Sequence, residues 1–193
     1  MNADASIVIR KCTLAPIIAA LLIFFFYGAC PEIFGSLACL LWQLLLLTFL
    51  PLLAYPLQPV LPYFRKKGRE GQRYLAILFA FLGYFLDVAV TLLTCASKEL
   101  CLISWTYFLS GLLILILNRL CKIYASGHAA GVSMAIGLPA ALNHPEVLLV
   151  SVPLLFIVAW ASVAAKRHTV QQYIIGALIP PMAMGLVQFV LYK

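Results

Sequence analysis

Apolar runs long enough to cross a bilayer recur along this 193-residue chain, and they leave little choice of fold. A hydrocarbon core of about 30 Å takes about 20 apolar residues per helix. By that ruler, spans are expected near 14–30, 34–56, 74–95, 101–118, 127–142, 147–165 and 170–191. The second trails into the proline-rich YPLQPVLPYF, and the fifth is short and holds Gly137 and Pro139. Proline and glycine are tolerated in such helices where neighbours satisfy the freed backbone groups. The expected fold is all-α: a single transmembrane domain over 1–193, a polytopic helical bundle of about six or seven spans. Composition agrees, since 65% of residues are hydrophobic and only 10% charged, outside the range of soluble domains. That length gives room for one bundle and no separate soluble domain. Arg10 and Lys11 precede the first run without an obvious small-residue cleavage site, so that run is expected to be an uncleaved span.

The basic residues orient the bundle. With the N-terminus in the cytoplasm, eleven of the 13 lysines and arginines fall inside, leaving Lys98 and Lys193 outside. Three cationic segments, FRKKGREGQRY, NRLCKIYASGH and AAKRHTVQQ, thereby share one membrane face. They serve as topology anchors and lipid head-group contacts, or some of them converge on a bound anion.

The six cysteines show no C-x-x-C pair and no metal-like spacing. Cys95 and Cys101 flank one expected outside loop and could pair; buried thiols are the plainer reading. His144 lies in a short outside turn and carries no assigned role. Asp87 sits mid-span in GYFLDVAV, where a carboxylate costs roughly 2.5–3.5 kcal/mol on insertion scales and needs a partner or a water-filled cavity. It reads equally as a structural polar contact and as part of a site.

KIYASGHAAG interrupts the apolar pattern just before the fifth span. Ser126, Gly127 and His128 then occupy the first turn of a helix, whose free N–H groups and positive dipole end suit a phosphate. Ser126 is equally a good N-cap, and Gly127 allows close backbone approach. Two spans later, KRHTVQQYIIG opens the last span with His168 on the same side, and Gln172 follows one helical turn on. Two histidines ringed by cations are what phosphoryl transfer through histidine needs. One imidazole attacks phosphorus, the other protonates the leaving oxygen, and cations hold the remaining oxygens.

Ser126-Gly127-His128, followed by Arg167-His168-Thr169, Gln172 and Gly176, resembles the type 2 phosphatidic acid phosphatase superfamily of membrane lipid phosphatases. That family carries Lys-x6-Arg-Pro, then Pro-Ser-Gly-His, then Ser-Arg-x5-His-x3-Asp. Here Lys66 and Arg73 keep the first spacing, with Tyr74 in place of proline. Ala125 replaces the proline of the second motif. In the third, Ala161-Ser162 stand for Ser-Arg and Gln172 for the aspartate. The likeness covers a phosphatase-like core over about 66–185.

The resemblance implies His168 as nucleophile and His128 as general acid, with Lys66, Arg73, Ser126 and Gly127 holding phosphate oxygens. Gln172 would orient His168 without charging it, and Lys166, one turn from Ser162, is a stand-in for the missing arginine. Lys122 and Arg167 are further phosphate-binding candidates. The expected activity is hydrolysis of a prenyl phosphate, phosphatidic acid or phosphatidylglycerol phosphate through a phosphohistidine, without metal or cofactor. The expected setting is the plasma membrane, with N-terminus and site cytoplasmic, a lipid phosphate and the bilayer as partners, and no nucleic acid. Oligomeric state stays open. Loss of the aspartate and arginine keeps a second reading in play, a non-catalytic phospholipid-binding relative. A small transporter is a third, although the halves lack the inverted hydropathy symmetry it would show.

Overall fold

A computed structural model describes residues 3–94 and 96–193, and every regular element among them is helical. The helices are α1 (Ala3–Cys12), α2 (Ala15–Ala29), α3 (Leu37–Leu44), α4 (Leu50–Leu57), α5 (Pro62–Lys66) and α6 (Gly68–Leu93). α7 (Lys98–Arg119), α8 (Gly127–Ala141), α9 (Leu148–Ala164) and α10 (Val170–Leu191) complete the set. The alternative Cys95–Cys101 pairing involves Cys95, outside the described residues; of the thiols expected to be buried, Cys30 is, whereas Cys12 and Cys121 are exposed near helix ends.

Five stretches are long and apolar enough to cross a membrane: Leu37–Leu57, Gly68–Leu93, Lys98–Arg119, Pro145–Ala164 and Val170–Leu191. A sixth exists if α1 and α2, bent by 50° at their junction, count as one span. The span expected near 127–142 is α8, with 15 residues and so about 22 Å long, short of a full hydrocarbon core. It nevertheless runs beside α2 for most of its length. Gly131 abuts Ala15, and His144, just past the end of α8, packs edge-on against Phe25.

α3 and α4 form one rod joined by a π-helical turn, Leu45–Phe49. Its cause is local. Pro51 has no N–H and its ring would collide with the carbonyl four residues back, so the ladder widens ahead of it. Isoleucines, leucines, valines and Phe26 from α2, α7, α8 and α9 contribute to the core, among them Ile18, Leu22, Leu102, Leu138 and Val158. Leu93, Leu149, Phe156, Met182 and Phe189 face outward, the apolar belt a bilayer requires.

The structure supplies the partner Asp87 needs. Gln43 Nε2 donates to Asp87 Oδ1 at 2.8 Å and to Ser104 Oγ at 3.1 Å, and the Thr91 hydroxyl meets Ser104 Oγ at 3.0 Å. With Asp87 only 1% exposed, this knot ties α3, α6 and α7 together in mid-bundle. No basic side chain joins it: the one ion pair among the described residues is His144–Glu146.

Candidate active site

The site begins where the N-terminus of α8 is pressed onto α10. The Ser126 N–H donates to the Gln172 carbonyl at 3.0 Å, and Gly176 lies against the Ser126 backbone. A Cβ on Gly176 would come within 2.8 Å of the Ser126 nitrogen and 3.0 Å of its carbonyl carbon. Ser126 is fully buried, and its Oγ accepts the Ala129 N–H at 3.3 Å. Its hydroxyl is therefore engaged as an N-cap. Gly127 lines the adjacent cavity, with open space where a side chain would stand.

His128 and His168 line that same cavity, which has a volume of about 630 Å³. His128 is near enough to Arg10, His168 and Arg167 to feel their charges. Its Nε2 lies 3.0 Å from the Arg10 carbonyl. A carbonyl only accepts, so Nε2 carries the hydrogen and Nδ1 is the basic nitrogen of the neutral ring. His168 comes from the α9–α10 connection, and its Nδ1 is buried with no hydrogen-bond partner among the described residues. Burial lowers its pKa to about 4, with repulsion from Arg73 and Arg10 adding to the effect. The Gln172 side chain and the Tyr124 backbone oppose that shift but leave Nδ1 unbonded. Gln172 Oε1 instead accepts the Thr169 N–H at 3.2 Å in a capping box that starts α10.

Arg10, absent from the sequence-level assignments, occupies the centre of the site. Its Nη1 donates to Ser162 Oγ at 2.7 Å, across 152 residues of sequence. Ser162 is the position where the family motif has arginine, so a guanidinium reaches that spot from α1 rather than from Lys166. Lys166 itself lines the cavity and is exposed. Arg73 also lines it, donating from Nη2 to the Ala125 carbonyl at 3.3 Å while stacking over Tyr124 with its guanidinium carbon 4.6 Å from the ring centre. Arg167 is at the rim, its pKa lowered by partial burial and by Arg69.

Lys66 and Lys122 do not fit their expected place. Both are exposed and neither lines the cavity. Lys66 belongs to the short surface helix α5, and Lys122 sits in a loop at φ +55°. Arg69, one turn before Arg73 on α6, lines the cavity where Lys66 was expected. The i, i+4 spacing of Arg69 and Arg73 was a usable signal.

Eight cations or histidines, Arg10, Lys11, Arg69, Arg73, His128, Lys166, Arg167 and His168, thus face one space whose lining includes one acid, Glu70. Such crowding stores repulsion that a bound anion relieves. Among the described residues no three His, Cys, Asp or Glu side chains group as a metal site would require. The inner wall is mostly apolar, with Ile77, Ala80, Ile114 and Met134, and includes the hydroxyl-bearing Ser110 and Tyr107. The whole is a basic mouth on a hydrophobic chamber. No family model matches the chain, and neither a curated protein nor a solved structure matches it, so these residues carry the functional argument alone.

Proposed function

We propose that the protein is a metal-independent lipid-phosphate phosphatase of the plasma membrane, working on a phosphate ester at the cytoplasmic face. The observation that carries this reading is the pairing of His128 and His168 in one arginine-rimmed cavity with an apolar interior. His168 attacks phosphorus through a ring nitrogen, and the bond from phosphorus to the lipid oxygen breaks. His128, protonated on Nδ1, gives that proton to the departing alkoxide. Arg10, Arg73 and Arg167 hold the phosphoryl oxygens as charge builds on them. Water then attacks the phosphohistidine, with His128 taking its proton, and phosphate leaves.

The test is phosphate release from prenyl and glycerolipid phosphates by the protein in sealed vesicles of known orientation. His168→Ala is expected to lower the rate by about 10³-fold or more. Product is expected on the formerly cytoplasmic side. Equal rates in wild type and His168→Ala sink the reading.

The pH dependence follows from His168. A nucleophile with a pKa of about 4 stays neutral well below the ordinary histidine range, so the acidic limb of the rate profile is expected near pH 4. A limb near 6.5 counts against the buried geometry. The same shift carries a stability consequence. Between pH 6.5 and about 4 the unfolded chain binds a proton at this position that the folded chain does not, so stability falls as pH drops through that window.

A second reading, binding of a phosphate head group without turnover, is favoured by one observation. Gln172 gives His168 no charge, and the carbonyl meant to orient it is turned to Thr169. Binding that survives while wild-type release stays at background would select it.

A further inference from the structure

We infer that the cavity is a single-chain chamber with a fixed floor, so that the ligand is a phosphate carried on one apolar chain of limited length. The inference rests on the reading above only in placing the phosphate at the basic mouth.

Two helices set the depth independently. On α6 the mouth is lined by Arg69, Glu70 and Gln72, and below the innermost cation, Arg73, the lining continues to Tyr84, while on the neighbouring α7 it runs from Asn118 to Tyr107. Each interval is eleven residues (84 − 73 and 118 − 107), about 16 Å of helix. That is roughly the hydrocarbon depth of one leaflet, which a chain of about a dozen carbons fills. Between mouth and floor the walls are Ile77, Ala80, Gly111, Ile114 and Met134.

The floor is solid. Tyr84 and Tyr107 pack edge to face with ring centres 5.3 Å apart, and both are buried. The Tyr84 ring also presses on Gly111, where a Cβ would stand 2.8 Å from it. One turn beyond Tyr84 lies Asp87, and one turn before Tyr107 lies Ser104, so the buried Gln43–Asp87–Ser104 knot sits directly beneath. A longer chain has to displace two aromatic rings and then enter a polar cluster, which hydrocarbon cannot satisfy.

Volume limits the number of chains. At about 630 Å³ the cavity falls within the usual range of about 300–1,000 Å³ for sites that take one small ligand. A site of that size suits one chain and a phosphate better than the two long chains of a diacyl glycerolipid.

The experiment measures binding, so it is independent of turnover. Purified His168→Ala protein is titrated with n-alkyl phosphates of eight to twenty carbons, a fifteen-carbon prenyl phosphate and dipalmitoyl phosphatidic acid. All are used at equal mole fraction in the same detergent, with thermal unfolding as readout. Tightest binding is expected at about ten to fourteen carbons, and binding at twenty carbons at least about tenfold weaker. Dipalmitoyl phosphatidic acid is expected to bind more weakly than the best single chain, and the alkyl and prenyl arms show whether branching is read. Tyr84→Leu is expected to move the optimum to longer chains, and the wild-type-floor series decides the matter if that variant fails to fold. Affinity that is flat or rising through twenty carbons overturns the inference, as does diacyl lipid binding equal to the best single chain. A length optimum without hydrolysis by wild type leaves the chamber standing and removes the phosphatase.

Discussion

Arg10→Ala is expected to lower phosphate release by about 10²–10³-fold, the usual cost of removing one preorganised donor from a developing oxyanion. The argument is geometric. The Arg10 guanidinium reaches Ser162 at 2.7 Å, while its backbone carbonyl holds His128 Nε2 at 3.0 Å. Alanine deletes the first contact and keeps the second, so the histidine retains its tautomer and only the charge is lost. Lys166→Ala, by comparison, removes an exposed rim cation and is expected to cost less than about tenfold, as solvated charges do. The comparison is made on kcat and on inhibition by inorganic phosphate, both of which are expected to weaken in Arg10→Ala. Unchanged kcat and phosphate inhibition in Arg10→Ala would assign the phosphoryl oxygens to other cations.

Gly176→Ala is the smallest substitution with the largest expected structural effect. Its new methyl would meet the Ser126 nitrogen at 2.8 Å and carbonyl carbon at 3.0 Å, and these are backbone atoms that cannot rotate aside. α10 and the start of α8 must part. Overpacking of this kind costs about 1–3 kcal/mol, and the Ser126–Gln172 backbone bond that spans the same contact is strained with it. Because that contact sets the spacing of His128 and His168, turnover is expected to fall about 10²-fold, as a displacement of about 1 Å does. Gly185→Ala, a glycine on the same helix with nothing within 4 Å, is the matched control and is expected to be silent. Thermal unfolding and phosphate release on the pair check both halves. Equal melting temperatures would show that the close approach carries no energy.

How much of this was legible follows from the range of each interaction. The long apolar helices were, because a run that exceeds the bilayer thickness has one stable conformation there. His128 and His168 were also legible, since each sits where a polar loop turns into a helix and its neighbours supply the context. The break between α1 and α2 was not, because Arg10 and Lys11 end the apolar run and make the preceding turns look like a tail. The π turn was hidden in LLWQLLLL-type sequence, where only the proline at 51 hints at it. Lys66 was misplaced because motif spacing counts residues. Direction decides instead, and the chain bends between α5 and α6 at Gly68, φ +51°. Gln43 as partner to Asp87, at 44 residues' separation, and Arg10 as partner to Ser162, at 152, leave no local mark at all.

That last separation also fixes an order of events during synthesis. α1 leaves the ribosome well before the Ser162 hydroxyl that holds its arginine, which is made 152 residues later. The backbone surface that Gly176 covers has no lid until later still. Until these parts are made Arg10 lacks its partner, and the bundle has an unsealed seam beside α8. Contacts this far apart in sequence form late, after the local helix pairs. A nascent chain stopped before α10 is therefore expected to be a ready target for membrane proteases, whereas with α10 in place the seam beside α8 is closed.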